Sequence, residues 1–390
     1  MAKTKDMDNW GVNTKLAHGG YNPHDYYGFV NPPVVRASTV LFPDAKTMAL
    51  ENQRYTYGTH GTTTTDALCH AVDLLEGSAV TVLTPSGLAA ITMPLLGALS
   101  SGDHLLITDS VYFPTRRFAD TILTRLGVEV EYYDPLIGGG IEKLLKDNTR
   151  IVFTESPASN TFEMQDIPAI ASAAHKIGAI VMMDNTWATP LLFKALDYGV
   201  DISINAATKY PAGHADVLMG MVSANEKYAE LIKEAHKITG MSVSGDDAYL
   251  VLRSMRTMNI RLAHQSKTTI ALASWLETLP QVAEVLHPEL PSNKGHAIWS
   301  RDFKGSATIF SIVLQNGGIE EASRFLDSLQ LFGLGYSWGG YESLAVHVNL
   351  KDRVVAKKDY AGPVLRLQIG IENFEDLQKD LQNAINATGL

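Results

Sequence analysis

An α/β protein with a mostly parallel central sheet is predicted by three features of the 390-residue chain. Between residues 62 and 241, short apolar runs alternate with amphipathic helical patterns, the signature of strand–helix–strand crossovers. Glycines and prolines punctuate that alternation, with Pro168 suited to a first helical position after Asp166, and Gly127 and Gly178 suited to helix ends. Two apolar runs, Val181-Met182-Met183 and Ile202-Ser203-Ile204, lead into Asp184 and Lys209. Both charged groups are thereby placed at the carboxyl edge of a sheet, where open α/β folds bind ligands.

Residues 1–61 carry Gly19-Gly20, Pro32-Pro33 and Pro43 with little periodicity, and read as an extended N-terminal arm that wraps the body or a second subunit. An α/β domain follows over 62–245. Strands are expected at 79–83, 104–108, 128–133, 151–155, 179–183 and 216–222, with helices at 88–99, 113–126 and 167–177. The apolar span 80–99 approaches the length of a membrane helix, but Thr84-Pro85-Ser86-Gly87 divides it into strand, turn and helix. A long helical pattern over 248–279 opens a smaller α+β C-terminal domain, 246–390. It has strands at 308–314 and 365–369 and helices at 319–329 and 374–387.

Composition narrows the function classes. A hydrophobic content of 45% with 19% charged residues is that of a soluble globular protein with a large core. The 32 Lys and Arg against 42 Asp and Glu give a formal charge of −10, and no basic run tracks a phosphate backbone, so nucleic acid is not an expected partner. Residues 1–8 lack the apolar stretch of a signal peptide, and the single Cys69, on an apolar helical face, reads as an inert core thiol. A cytoplasmic protein with no membrane partner is the expectation.

The chemistry concentrates on a few positions. A carboxylate such as Asp184 can hold a pyridine nitrogen protonated, and an amine such as that of Lys209 can condense with an aldehyde; pyridoxal 5'-phosphate (PLP) chemistry takes these two groups from its protein. Asp184 also suits a helix cap or a ribose ligand, but no Gly-x-Gly-x-x-Gly turn follows an early strand. The small residues Asn205-Ala206-Ala207-Thr208 before Lys209 leave its amine partly desolvated, which lowers its pKa. Ser86 and Gly87, between a strand and the helix opening at Leu88, form a phosphate cup or a simple cap. Tyr112 follows another strand end and offers a stacking face. Ser337 and Trp338 lie in a turn-rich, substrate-facing loop. Arg366, in an alternating apolar run, needs an anion: an amino-acid carboxylate, or Glu342 in a structural salt bridge. The histidines show no ligand spacing, so no metal is expected; His214 reads as a loop residue, and no Gly-x-Ser-x-Gly elbow surrounds Ser86 or Ser337.

These residues, with Lys15-Leu16-Ala17-His18-Gly19-Gly20, Arg36-Ala37-Ser38-Thr39, Glu155-Ser156-Pro157, Ala207-Thr208-Lys209-Tyr210, His287-Pro288 and Tyr336-Ser337-Trp338-Gly339-Gly340-Tyr341-Glu342-Ser343, resemble the Cys/Met-metabolism family of PLP-dependent enzymes over nearly the whole chain. The likeness is nearest to its cystathionine β-lyase branch. It implies the fold type I PLP-dependent transferase-like fold and a homotetramer of catalytic dimers. Lys209 is then the catalytic Schiff-base lysine, Asp184 the pyridine-nitrogen partner and Tyr112 the stacked ring, with Lys209 or Tyr112 protonating the leaving sulfur. Gly87, Leu88 and Thr208 hold the phosphate, joined by Tyr57 of a neighbouring subunit, and Arg366 with Ser337 and Trp338 binds a sulfur amino acid. The implied reaction is α,β-elimination of cystathionine to homocysteine, pyruvate and ammonia, in methionine biosynthesis.

The chain departs from the family pattern at Thr59, where an arginine usually follows the tyrosine, and at Ala206, where a serine is frequent. Trp338 resembles β-acting relatives, and Ser159 stands where γ-acting ones often carry asparagine. A γ-acting relative, such as a methionine γ-lyase or cystathionine γ-synthase, and a cofactor-holding protein without turnover are the alternatives.

Overall fold

The computed structural model describes residue 7 and residues 9–390. Residues 1–6 and 8, within the stretch read as lacking a signal peptide, lie outside the described residues. The central sheet has seven strands: β1 (Val80–Thr84), β2 (His104–Thr108), β3 (Glu129–Tyr133), β4 (Thr149–Glu155), β5 (Ile180–Asp184), β6 (Ile202–Asn205) and β7 (Gly220–Ala224). Their order is β1-β7-β6-β5-β4-β2-β3, parallel throughout except for β7, which runs against both of its neighbours.

Period-two alternation sends successive residues to opposite faces, and here both faces are covered, so the strands read as continuous apolar runs. Ile180 and Met182 enter one core with Ile91 and Leu95 of the helix Gly87–Ala98 and with Ile232. Val181 and Met183 enter the other, with Leu68 of the helix Thr63–Glu76 and Val251 and Leu252 of the helix Gly245–Met255.

A second sheet contains β8 (Val282–Leu286), β9 (Ile309–Leu314), β10 (Gly333–Leu334), β11 (Leu344–His347) and β12 (Val364–Gln368), in the order β10-β11-β12-β9-β8. The helices Ile319–Ser328 and Phe374–Ala387 share a core with it through Phe325, Leu377 and Leu381. The first core also takes in Ile309, Val313 and Val364, so the two sheets join through continuous packing.

Two expectations are corrected. The strand foreseen at 216–222 begins only at Gly220, because the chain before it bonds elsewhere: Met219 N donates to Thr208 Oγ1 (3.0 Å) and Thr208 N to Met219 O (3.1 Å). The helix foreseen over 248–279 is two, Gly245–Met255 and Met258–Leu276. At the break Arg256 Nη1 donates to the arm carbonyls of Leu16 and Gly19, while Ser254 Oγ bonds Ala212 O.

Among its described residues the arm has only short helices, Val12–His18 and Ala45–Leu50, besides 3₁₀ turns. Leu16 is buried and Arg36 makes a bidentate pair with Asp246, but Tyr27, Phe29, Val30, Leu41, Met48 and Leu50 are exposed. The span 80–99 is the expected strand, turn and helix, and no helix among the described residues is long and apolar enough to cross a membrane.

Candidate active site

The parallel strands deliver their chemistry to one edge. Asp184 and Glu155, the last residues of β5 and β4, are register partners. Beyond β6 the chain turns, with Lys209 N donating to Ala206 O (3.0 Å) and Gly213 N to Lys209 O (2.7 Å). After β1, Ser86 caps the helix Gly87–Ala98, its Oγ accepting from Ala89 N at 3.1 Å. After β2, Tyr112 opens the helix Phe113–Phe118.

A cavity of about 390 Å³ lies along this edge. Its walls include Ser86, Gly87, Leu88, Tyr112, Asp184, Thr208 and Lys209 from the first sheet and Ser337, Trp338 and Arg366 from the second. Ten of the eleven residues singled out from the sequence therefore meet in one place. Tyr57 does not join them: it lies on the arm with its ring half exposed, while Thr59 and His60 line a separate cavity with His236 and Lys237.

Lys209 Nζ donates to Ser337 Oγ at 2.7 Å and lies 5.0 Å from the centre of the Trp338 ring. Burial, with the nearby Arg366 charge, lowers its pKa to about 8 against the opposing pull of Asp184. Burial raises the Asp184 pKa, offset by hydrogen bonds from Thr186, whose backbone N–H donates to Oδ1 at 3.0 Å, and by the Lys209 charge. Thr186 Oγ1 in turn accepts from Ala206 N (2.9 Å), tying the strand end that carries Asp184 to the turn that carries Lys209.

Arg366 sits on β12, and burial lowers its pKa to about 10. Its Nη1 donates to Asn160 Oδ1 (3.0 Å) and Nη2 to Ser337 O (3.4 Å). The salt bridge to Glu342 that the sequence left open is not formed; neutral acceptors aim the guanidinium and leave its charge for a ligand.

Three residues of the site were not assigned roles from the sequence. Glu155 Oε2 accepts from Tyr112 N at 2.7 Å and so fixes the backbone beneath that ring. Its signal, an apolar run ending in an acid, was the one that exposed Asp184. Asn160, with a left-handed φ of 65°, orients Arg366, and no local pattern marks it. Thr186 lies in a quoted motif, but its bridging bond is visible only in three dimensions.

The donor set fits PLP. The backbone N–H groups of Gly87 and Leu88, in the first turn of a twelve-residue helix, have no acceptor among the described residues and face the cavity where an anion is favoured. A Cβ at Gly87 would stand 2.6 Å from Ala206 Cβ, so only glycine lets this helix start approach the turn that leads to Lys209. Around that anion seat stand a ring for stacking, a buried carboxylate and an amine of lowered pKa. An α/β fold with this constellation defines a lysine-dependent PLP enzyme.

Comparison with known proteins agrees. The family described as Cys/Met metabolism PLP-dependent enzyme matches residues 13–386, and the chain belongs to this family. It is 59% identical to a putative cystathionine beta-lyase of Rhizobium johnstonii, covering 99% of each chain. It is 42% identical to the cystathionine beta-lyase MetC of Escherichia coli, covering 95% of this chain and 97% of that one. Among solved structures, the cystathionine gamma synthase of Xanthomonas oryzae, in complex with aminoacrylate and cysteine, superposes with a TM-score of 0.91 at 30% identity, covering 97% of this chain and 98% of that one.

Proposed function

We propose that the protein is a carbon–sulfur β-lyase that converts cystathionine and water into homocysteine, pyruvate and ammonia. The observation that carries this reading is the placement of Lys209 Nζ between Ser337 Oγ and the Trp338 ring, beside an arginine with no acidic partner among the described residues. The similarity to chains named as β-lyases supports it. PLP bound in the cavity supplies an electron sink for a carbanion at the substrate Cα. Asp184 would keep the pyridine nitrogen protonated, and the Tyr112 ring would provide a stacking face. The N–H groups of Gly87 and Leu88, with Thr208, hold the phosphate.

Arg366 holds the substrate α-carboxylate with its two terminal nitrogens, the geometry at which guanidinium excels. Lys209, in its neutral form, takes the Cα proton at Nζ, and Ser337 Oγ fixes where that nitrogen points. Thiolate leaves Cβ, and the proton gathered by Lys209 neutralises the sulfur. Burial raises the Tyr112 pKa, with the Asp184 and Glu155 charges adding to it, so its phenol stays protonated as a second donor.

The proposed assembly is a homotetramer of catalytic dimers in which Tyr57 reaches the neighbouring subunit's phosphate. The exposed apolar residues of the arm and the position of Tyr57 outside its own chain's cavity support it.

The alternative is γ-elimination or γ-replacement, favoured by the likeness to the Xanthomonas oryzae γ-synthase structure. Identification of the keto acid released from L-cystathionine, with and without added PLP, separates the readings. Pyruvate supports the β-lyase, and 2-oxobutyrate as the main product overturns it.

A further inference from the structure

The helix Met258–Leu276 contributes no wall to the active-site cavity, yet two of its side chains reach the backbone behind three groups that do. Arg261 and Gln265 stand four residues apart on it and so share one face.

Arg261 Nη2 bonds Tyr210 O (3.0 Å), Ser254 O (3.1 Å) and Ser254 Oγ (3.0 Å). Ser254 Oγ in turn bonds Ala212 O, so Arg261 and Ser254 together hold the turn that starts at Lys209. The fit is close: Gly213, at a left-handed φ of 65°, would place a Cβ 2.0 Å from Arg261 Nη1. The guanidinium has no acidic partner among the described residues, and its buried Nε has no acceptor among them. An ion pair therefore does not account for an arginine here. What it supplies is donors for the backbone oxygens of the lysine turn.

Gln265, one helical turn on, is buried, and its Nε2 donates to Gly340 O (2.8 Å) and Ile369 O (3.0 Å). Gly340 belongs to the loop that carries Ser337 and Trp338, and Ile369 directly follows β12, the strand of Arg366. That loop presses on the lysine turn itself. A Cβ at Gly339, whose φ is 83°, would lie 3.0 Å from Tyr210 N and 3.2 Å from Lys209 Cα.

We propose that Arg261 and Gln265 are positioning residues whose shared helix face sets the distance between Lys209 and the pair Ser337 and Arg366. Arg261 acts through the turn that carries Lys209, and Gln265 through the loop and strand that carry the other two. Both sides hang from one rigid element, on which four residues span about 6 Å. The inference rests on the roles given above to Lys209 as the base and Arg366 as the carboxylate clamp, and it assigns each an anchor. Loosening the Arg261 anchor should misplace the base and slow proton transfer. Loosening the Gln265 anchor should misplace the clamp and weaken substrate binding.

The test uses the holoenzyme, with rates expressed per bound PLP and two ligands. L-Cystathionine is followed by keto acid release. L-Alanine, which has no leaving group, is followed by cofactor absorbance for binding and by exchange of its Cα hydrogen for deuterium. Gln265→Leu should raise the L-alanine Kd and the L-cystathionine KM by about tenfold, as expected for two lost hydrogen bonds, and change saturated exchange by about twofold or less. Arg261→Met should do the reverse, slowing saturated exchange and kcat by about tenfold or more while Kd moves by about twofold or less. Gln265→His and Arg261→Lys each keep a donor and should show the same split in smaller measure, so they carry the test if the larger changes prevent folding. Equal losses of binding and exchange at both positions, in step with the fall in melting temperature, overturn the proposal, as does the absence of any change. If wild type releases no keto acid from L-cystathionine, the lyase reading fails, and the L-alanine measurements alone decide the two anchors.

Discussion

Glu155 and Asp184 stand as register partners on adjacent parallel strands, two acids side by side at the edge of the sheet that carries the active site. Burial, reinforced by the Asp184 charge, pushes the Glu155 pKa well above the usual carboxylate range, against the hydrogen bond that Oε2 accepts from Tyr112 N. Two acids this close repel when both are charged, which is why each raises the cost of ionising the other.

A neutral amide should serve nearly as well as Glu155. An acid whose folded pKa is raised stabilises the fold below its unfolded pKa, and that contribution is lost as pH rises toward the folded value. Glu155→Gln lacks this loss, so its stability relative to wild type should improve between about pH 5 and about pH 8 in urea unfolding. An equal difference at both pH values would contradict the raised pKa of Glu155. Glu155→Ala, which strands the Tyr112 N–H, should cost about 1 kcal/mol.

Gly87→Ala should push the helix start away from Ala206 and loosen PLP, with about 1–3 kcal/mol of destabilisation from overpacking. Adding Ala206→Gly makes room for the new methyl. Dissociation constants for PLP should therefore recover in the double variant, and simple additivity of the two changes would refute the steric account.

Capture of PLP by the apoprotein should follow the neutral form of Lys209, rising with pH through about 8. The positive charge of Arg366 lowers that pKa, so its removal in Arg366→Ala should move the midpoint to higher pH. Uptake rates from cofactor absorbance give the profile, and a midpoint that stays put or falls in Arg366→Ala would refute the coupling. Lys209→Ala should fold yet retain no covalently attached cofactor after borohydride reduction, as read by intact mass.

Arg366→Ala should also raise KM for the amino-acid substrate by about 100-fold, the value of a bidentate charge-assisted contact, with a far smaller effect on PLP affinity. Parallel losses of both affinities would assign Arg366 a structural role.

Strand periodicity, helix punctuation and the acid or lysine after an apolar run were all legible in the sequence, because each is a local consequence of burial on a two-sided sheet. On that basis Asp184, Lys209, Ser86, Gly87 and Tyr112 could be placed at one edge, whereas the family resemblance was needed to bring Leu88, Thr208, Ser337, Trp338 and Arg366 to the same cavity. What escaped is long-range. The helix break at Arg256 involves no glycine or proline, but coincides with bonds from Arg256 to arm carbonyls 240 and 237 positions away and from Ser254 to Ala212. The late start of β7 follows from the bonds between Thr208 and Met219. Ser159 drew attention as a marker of reaction type, whereas its neighbour Asn160 makes the contact with Arg366.

Arg366 on the second sheet reaches Asn160 in the loop that follows β4, so the two halves meet at the site. In the proposed function, one half of the molecule would grip the cofactor and the other would read what is brought to it. Replacing the reading half, or its loops alone, can redirect the catalyst toward new thioethers while the cofactor machinery stays intact. A molecule built this way offers its substrate scope to selection separately from its chemistry.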